Sequence, residues 1–233
     1  MTEAAEALKA AAAREAVHLV QDGMRIGLGS GSTSELFLIE LAARVANGLN
    51  VTAVPTSHRV AAMAQLRGIK VANLADIGRL DLAIDGADEI QPHALDLIKG
   101  RGGALLREKV VATAADRFCI IADSSKLVSR LGEQRPVPVA VVPFGWRQTA
   151  DRIRQVGGEP SIRLENGSPL ITDDGLYILD CRFAPIEDPG RLGDALKGLL
   201  GVVDHGLFVG IAAQAIVAGD NGIVTLEAGK VVA

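Results

Sequence analysis

The chain has 233 residues, of which 48% are apolar and only 3% aromatic, and its formal net charge is −4. This length suits one large domain or two small ones, and a core made mainly of Ala, Val, Leu and Ile suits a parallel sheet covered by helices. The negative charge argues against a general nucleic-acid or membrane surface, so we expect neither among its partners.

The N-terminus and the cysteines indicate a cytoplasmic protein. Glu3, Glu6 and Lys9 interrupt the N-terminus, so no secretory signal is visible, and no apolar run approaches the length of a membrane span. The two cysteines, Cys119 and Cys181, show no CxxC spacing and form no disulfide framework.

The first half of the chain alternates between helical and strand patterns. Helices are predicted over 2–21, about 33–45, 57–66 and 104–115, and strands over 24–29, 51–54, 69–72, 80–84 and 118–122. Ser32 or Thr33 is expected to cap the second helix. This alternation predicts an α/β fold: a Rossmann-like, mostly parallel sheet with helices on both faces.

The rhythm changes near Gly132. Strands are predicted over 137–142, 159–164, 176–181 and 202–203, and helices over 147–156 and 189–200. This strand–helix–strand–strand–helix–strand order predicts a smaller α+β, ferredoxin-like domain. Strands predicted over 207–210, 215–217 and 223–226 return to the first domain. We therefore expect an α/β catalytic domain of residues 1–131 and 206–233, and a small domain of residues 132–205.

The first candidate motif is the loop of Ser30, Gly31, Ser32 and Thr33, which follows a strand and opens a helix. Glycines let a ligand approach the backbone, and a helix N-terminus favours phosphate. The loop is neither a G-x-G-x-x-G dinucleotide fingerprint nor a Walker A loop. The alternative is a tight strand–helix turn with a cap and no ligand.

The second motif, Asp85-Gly86-Ala87-Asp88-Glu89, directly follows the buried strand 80–84. Ligands of α/β proteins bind at the carboxyl ends of strands. Two neighbouring carboxylates raise the pKa of at least one of them, which suits proton transfer. The alternative is a helix cap or a turn, because Asp-Gly often does no more than that.

The third motif runs from Lys99 through Gly100, Arg101 and Gly102 to Glu108, and Lys126 follows a further strand end. An ammonium, loop N–H groups and a carboxylate are the parts that acid–base chemistry on a small anionic substrate needs. Taken alone, these residues also fit a solvated loop and an exposed helix face. The four histidines show no ligand spacing, so we expect no metal.

Together the motifs GLGSGST, DGADE and KGRGGALLREK, followed by ADSSK and GVV, resemble the A-type ribose-5-phosphate isomerases over nearly the whole chain. The resemblance implies reversible interconversion of D-ribose 5-phosphate and D-ribulose 5-phosphate without a metal or organic cofactor. It also implies a homodimer or homotetramer. The chain departs from the pattern at Arg101, where many members have Gly, and at Leu106, where many have Thr.

Carried over residue by residue, the resemblance makes Glu108 the proton acceptor and Lys99 the active-site lysine. Asp85 and Asp88 become substrate-binding acids, with Asp85 also the candidate for ring opening. The implied substrate-binding set is Ser30, Gly31, Ser32, Thr33, Asp85, Gly86, Ala87, Asp88, Lys99, Gly100, Arg101, Gly102, Lys126 and Lys9. A base such as Glu108 would move a proton between C2 and C1 through a cis-enediolate, whose charge Lys99 and loop N–H groups would stabilise.

Two other classes of protein compete with this interpretation. A non-catalytic sugar-phosphate sensor usually carries a DNA-reading module, and only about 23 residues precede the first predicted strand, too few for a three-helix module. A sugar-phosphate deaminase would use a histidine near the sugar, and a CoA transferase a glutamate at a different strand end. No histidine lies in any of the motifs.

Overall fold

The computed structural model describes residues 3–229 of the chain. The α-helices of this part are α1 Glu3–Ala16, α2 Ser32–Ala46, α3 His58–Leu66, α4 Leu74–Ile77, α5 Leu105–Thr113, α6 Trp146–Gln155 and α7 Pro189–Lys197. The strands are β1 Arg25–Leu28, β2 Thr52–Pro55, β3 Lys70–Val71, β4 Leu82–Asp85, β5 Glu89–Ile90, β6 Leu97–Ile98, β7 Phe118–Asp123, β8 Val137–Val141, β9 Glu159–Ile162, β10 Leu164–Glu165, β11 Ser168–Pro169, β12 Tyr177–Arg182, β13 Val202–His205, β14 Leu207–Phe208, β15 Gln214–Gly219 and β16 Gly222–Glu227.

The central sheet has seven strands in the order β3-β2-β1-β4-β7-β15-β16. Its strands are parallel except for the edge strand β16, which pairs antiparallel with β15. The order reverses between β1 and β4, the point where α/β sheets open a crevice for ligands. The predicted Rossmann-like sheet is confirmed.

Helices cover both faces of this sheet, and its central strands are therefore buried on both sides. All four residues of β4 and all six of β7 are buried. One apolar cluster joins α1 and α2 to the sheet, and a second contains Val111 and Ala112 of α5. Near-continuous apolar strands are what a doubly covered parallel sheet requires.

The small domain is a four-stranded antiparallel sheet in the order β13-β8-β12-β9, with α6 and α7 in the predicted positions between strands. Its core includes Val139, Ile153, Leu179 and Leu196, all at 0% exposure. The strands of this sheet all lie within residues 132–205. The exact domain boundaries stay a prediction. Residues 1–2 and 230–233, which this prediction includes, lie outside the described part of the chain.

Strand β14 differs from expectation. It does not join the central sheet but pairs with β6 in a three-stranded antiparallel sheet, β14-β6-β5. Sequence patterns did not predict β5 and β6, because two-residue strands are too short to show a period. This sheet carries the loop that begins at Lys99.

The first helix ends earlier than predicted. It stops at Ala16 and tightens into a 3-10 turn over Val17–Leu19, while the predicted start at Thr2 lies outside the described residues. The Arg44 guanidinium donates to the carbonyls of Val17 and Val20 at 2.6 and 2.8 Å. These bonds add a side-chain donor to carbonyls at the end of the helix, where intrahelical partners run out.

The predicted cap of α2 is wrong. The N-cap is Gly31, at φ 98°, and neither the Ser32 nor the Thr33 hydroxyl makes a capping hydrogen bond. A positive φ strains residues that have a Cβ, so a glycine at this turn leaves Ser32 and Thr33 inside the first turn.

Elsewhere, both cysteines are buried and free. No helix within residues 3–229 is long and apolar enough to cross a membrane, and the cytoplasmic location stays a prediction.

Candidate active site

A cavity of about 340 Å³ lies at the carboxyl end of the parallel sheet, beside the point where the strand order reverses. The loops after β1, β4 and β6 form it together with α1, α5 and the turn after β7. Its lining residues are Lys9, Ser30, Gly31, Ser32, Thr33, Gly86, Ala87, Asp88, Lys99, Gly100, Arg101, Gly102, Glu108 and Lys126. The structure thus brings together every residue proposed from the sequence, except that Asp85 lies behind this lining.

The floor of the cavity is a buried ion-pair cluster centred on Lys99. Its Nζ lies 2.9 Å from Asp85 Oδ2 and 3.3 Å from Glu108 Oε2, and it donates to the Gly86 carbonyl at 2.5 Å. The three side chains are only 3–4% exposed. One ammonium therefore faces two carboxylates in a region of low dielectric, where charge interactions are strong.

Burial and charge shift the pKa values of this cluster in a direction that suits a base. Burial, opposed by the Lys99 ammonium and assisted by Asp85 and Asp88, raises the pKa of Glu108 to about 8. Burial would lower the pKa of Lys99, but the carboxylates of Asp85 and Glu108 outweigh it and raise that pKa. Lys99 is therefore an ammonium at neutral pH, while Glu108 titrates near it.

Glu108 stands in the first turn of α5 and projects into the cavity. Its Oε2 makes an ion-pair contact with Lys99, yet no group among residues 3–229 gives this buried oxygen a well-directed hydrogen bond. A buried polar atom without such a bond carries a cost in stability, which is common at functional sites. The oxygen is thus available to accept a proton from a substrate.

Asp85 is held from behind. Its Oδ1 accepts hydrogen bonds from Ser34 Oγ at 2.9 Å and from the Gly86 N–H at 2.7 Å, and its Oδ2 faces Lys99. A Cβ at position 29 would lie 2.0 Å from Asp85 Oδ1, so only glycine fits where β1 ends. With both oxygens engaged, Asp85 orients Lys99 and does not line the cavity.

The loop from Lys99 to Gly103 accommodates Arg101 without strain. Gly100 and Gly103 have φ values of 105° and 82°, whereas Arg101 is outside the positive-φ region. The Arg101 N–H donates to Asp88 Oδ2 at 3.0 Å. The left-handed positions that favour glycine are therefore filled by glycine, and the departure at Arg101 leaves the loop intact.

The other end of the cavity is basic. Lys9 Nζ donates to Ser32 Oγ at 3.1 Å, and Ser32 and Thr33 begin α2. The N-terminus of a helix of this length favours an anion. Lys126 is half-buried in the lining of the same cavity, and burial lowers its pKa. Ser30 also lines the cavity, although its Oγ contacts the hydroxyls of Thr56 and Ser57 at 2.7 and 3.0 Å.

Sequence reasoning missed two side chains that support the site. Glu89 is fully buried, and it accepts hydrogen bonds at 2.6 Å from the N–H groups of Gly132, Gln134 and Arg135, the segment that leads into the small domain. The Phe208 ring lies 5.5 Å from Lys99 Nζ. In the sequence, Glu89 was marked only by its position in the second motif, beside Asp85 and Asp88. That position does not tell whether its carboxylate binds a ligand or supports the structure.

Histidines lie away from the cavity. His205 is buried behind Lys109, and burial together with the Lys109 charge lowers its pKa to about 4. Its Nδ1 accepts from the Leu207 N–H at 3.2 Å. Within residues 3–229, no group of three or more His, Cys, Asp or Glu side chains has the geometry to hold a metal ion.

A larger cavity, of about 620 Å³, lies near the ends of β2 and β3 against the outer face of α5. Its walls are mainly apolar, and its charged residues Arg107 and Asp174 pair with each other at 2.8 Å. The smaller cavity holds the buried carboxylates and the lysine, so we assign the chemistry to it. A cavity at the point where the strand order reverses, with a helix N-terminus suited to phosphate and a buried carboxylate suited to accept a proton, is typical of α/β enzymes that perform acid–base chemistry on small phosphorylated substrates.

Comparison with known proteins makes this class specific. The family model described as ribose 5-phosphate isomerase A (phosphoriboisomerase A) matches residues 52–222. The ribose-5-phosphate isomerase A of Gloeobacter violaceus is 52% identical over 219 residues, covering 94% of this chain and 95% of its own. The chain belongs to the ribose 5-phosphate isomerase A family, and the family predicted from the motifs is confirmed.

Solved structures of this family have the same fold. The ribose 5-phosphate isomerase A of Methanocaldococcus jannaschii aligns with a TM-score of 0.91 at 41% identity, covering 95% of this chain and 99% of its own. A D-ribose-5-phosphate isomerase in complex with phospho-erythronic acid aligns with a TM-score of 0.93 at 36% identity, covering 97% and 100%.

Proposed function

We propose that this chain interconverts D-ribose 5-phosphate and D-ribulose 5-phosphate, with Glu108 as the base that moves the proton. The observation that carries the proposal is the Glu108 carboxylate, which lines the cavity 3.3 Å from the Lys99 ammonium. Family membership supports the reaction, and the arrangement of these two side chains supports the roles.

The two ends of the cavity give the substrate its direction. The phosphate binds at the start of α2, near Ser32, Thr33, Lys9 and Lys126, where hydroxyls, a helix N-terminus and two cations converge. The phosphate does not react, so its binding energy serves to place C1 and C2 of the sugar beside Glu108.

Proton transfer then needs one carboxylate. Ionised Glu108 removes the proton from C2 of the open-chain aldose, the C1 carbonyl oxygen gains negative charge, and a cis-enediolate forms. Glu108 returns the proton to C1, while a proton moves between the oxygens to give the ketose. The burial that raises the pKa of Glu108 makes it a stronger base than an exposed carboxylate.

Lys99 stabilises the enediolate, because its ammonium is already fixed where the charge develops. Asp85 contributes by holding Lys99 at 2.9 Å. For opening of the furanose ring, the sequence favoured Asp85, but its oxygens are engaged by Ser34, Gly86 and Lys99. Asp88 lines the cavity and is the carboxylate better placed to contact sugar hydroxyls and the ring oxygen.

The testing experiment measures formation of ribulose 5-phosphate from ribose 5-phosphate in the presence of EDTA. Wild type should turn over, and Glu108→Gln should bind substrate but lose about 10²–10⁴-fold in kcat. The matched control is Glu165→Gln, on the exposed strand β10, which should behave as wild type. Near-normal kcat in Glu108→Gln would overturn the role of Glu108.

The same assay separates the alternatives. A sensor would bind ribose 5-phosphate without turnover, and a deaminase would release ammonia from an amino-sugar phosphate. No histidine lines the described cavity, which disfavours the deaminase. A homodimer or homotetramer stays a prediction, to be measured by sedimentation.

A further inference from the structure

Arg163 joins the small domain to the catalytic loop. It lies between β9 and β10, and its backbone is fixed by hydrogen bonds with Ile178 and Leu170, both of 2.9 Å. Its side chain, 13% exposed, extends out of the small domain to residues Gly100 and Arg101.

The Arg163 guanidinium is held on one side and donates on the other. Nε donates to Asp180 Oδ2 at 2.9 Å, and Nη2 donates to Asp180 Oδ1. Nη1 donates to the carbonyl oxygens of Gly100 and Arg101, each at 2.8 Å. A planar fork with its donors in fixed directions can make all four contacts at once, which a lysine ammonium cannot.

These contacts fix two successive peptide planes. In a trans peptide the C=O and the following N–H point in opposite directions, and no cis bond occurs in the described chain. Because both carbonyls face Arg163, the N–H groups of Arg101 and Gly102 face away from it. The first donates to Asp88 Oδ2 at 3.0 Å. The second makes no hydrogen bond within residues 3–229, and Gly102 lines the cavity.

We propose that Arg163 is a positioning residue for the isomerisation, acting from the small domain through the Gly100–Gly102 backbone. It orients the Gly102 N–H as a donor to a substrate oxygen and holds the Arg101 N–H on Asp88. The inference rests on the proposed function, because the loop it orients begins at Lys99. It assigns the small domain a part in the chemistry although that domain contributes no residue to the cavity lining.

The test compares Arg163→Lys and Arg163→Ala with wild type, using Arg154→Lys as the matched control. Arg154 is an exposed small-domain arginine whose guanidinium pairs with Asp151. Arg163→Lys should lower kcat by about tenfold or more, because small misplacement of a catalytic loop costs up to about 10²-fold. KM should change less than about threefold, since the phosphate contacts stay intact. Arg154→Lys should match wild type.

Chemical rescue separates orientation from general structural damage. A side cavity of about 330 Å³, bounded by Asp88, Arg101, Arg163 and Asp180, gives a small cation access to the vacated position. Methylguanidinium should raise the kcat of Arg163→Ala and leave wild type unchanged. If Arg163→Ala does not fold, Arg163→Lys alone decides.

Three results would overturn the proposal: kcat within twofold of wild type in Arg163→Lys, a rise in KM with unchanged kcat, or a folded Arg163→Ala that methylguanidinium does not rescue. Failure of the proposed function looks different, because wild type itself would then not isomerise ribose 5-phosphate.

Discussion

Glu108 and Lys99 form a buried pair in which Oε2 lies 3.3 Å from Nζ, although both side chains are almost inaccessible to water. Removal of a carboxylate from water favours its protonated form, and the nearby ammonium only partly opposes this effect. The pair therefore contains a carboxyl group, that of Glu108, whose protonation changes close to neutral pH.

The first prediction concerns the pH profile of activity. Burial raises the pKa of Glu108 to about 8, and only the ionised form accepts a proton. We expect kcat/KM to rise with pH on its acidic side, with a midpoint displaced well above the ordinary value of 4.5 toward 8. The measurement is kcat/KM for ribose 5-phosphate from pH 5 to 9.5. An acidic limb that stays near pH 4.5 would contradict the assignment.

The second prediction concerns stability. A group whose pKa is raised by folding contributes stability that is complete below its unfolded pKa and is lost as pH rises through its folded pKa. Wild type should therefore lose stability relative to Glu108→Gln between about pH 4.5 and 8. Urea unfolding of both proteins at pH 5, 7 and 9 measures this difference. Parallel changes in the two free energies of unfolding would rule out the linkage.

The third prediction separates Lys99 from its neighbour Lys109. Both ammonium groups lie near the Phe208 ring, at 5.5 and 5.0 Å, but only Lys99 lines the cavity. Lys99→Ala should lower kcat by about 10²–10³-fold, the usual cost of losing a donor to an oxyanion. Lys109→Ala should mainly lower the unfolding midpoint, because it leaves Asp204 without its 2.6 Å partner.

Steady-state kinetics and thermal unfolding of both lysine variants provide the measurements. An effect of Lys99→Ala confined to KM would instead point to phosphate binding.

The fourth prediction concerns the basic end of the cavity. Lys9→Ala and Lys126→Ala should each raise KM for ribose 5-phosphate by roughly tenfold, because phosphate contacts bind substrate and transition state alike. Their kcat values should change less. Lys70→Ala, at an exposed position on β3, is the control and should leave KM unchanged. If both cavity variants kept a wild-type KM, the phosphate would have to bind elsewhere.

The fifth prediction concerns Glu89, whose oxygens accept three backbone hydrogen bonds. In Glu89→Gln, the amide NH₂ replaces one acceptor and faces an N–H donor. We expect a loss of about 2–4 kcal/mol in the free energy of unfolding, since hydrogen bonds to charged groups contribute about 1.5–3 kcal/mol each. Glu165→Gln, at an exposed glutamate on β10, is the control and should leave the urea midpoint nearly unchanged.

Much of the site could be predicted from sequence because it follows strand ends. Each segment of the site lies next to the end of a strand: Ser30–Thr33 at β1, Asp85–Asp88 at β4 and Lys99–Gly102 at β6. Local sequence patterns locate β1 and β4. Once parallel order is assumed, the carboxyl ends of β1 and β4 must meet at one edge of the sheet. The alternation of elements therefore determined both the fold class and the place of the cavity.

Residue chemistry within those segments depended on tertiary contacts. Asp85 and Glu89 belong to the same motif, yet the first faces Lys99 and the second binds the segment at 132–135. The direction of a side chain depends on what packs against it, and a local sequence pattern does not predict those contacts. The cap of α2 was also not predicted. The start of this helix is defined by the backbone of Gly31, at φ 98°, and not by a hydroxyl that caps the helix.

The sequence by itself determined the family, the α/β architecture and the residues that gather around the cavity, because these depend on strand period, glycine positions and residue order. Only the tertiary structure decided which carboxylate lines the cavity, which one orients the lysine, and that Arg163 reaches the catalytic loop from 62 positions away. These contacts join residues distant in the chain, and their geometry is fixed only when the chain is folded.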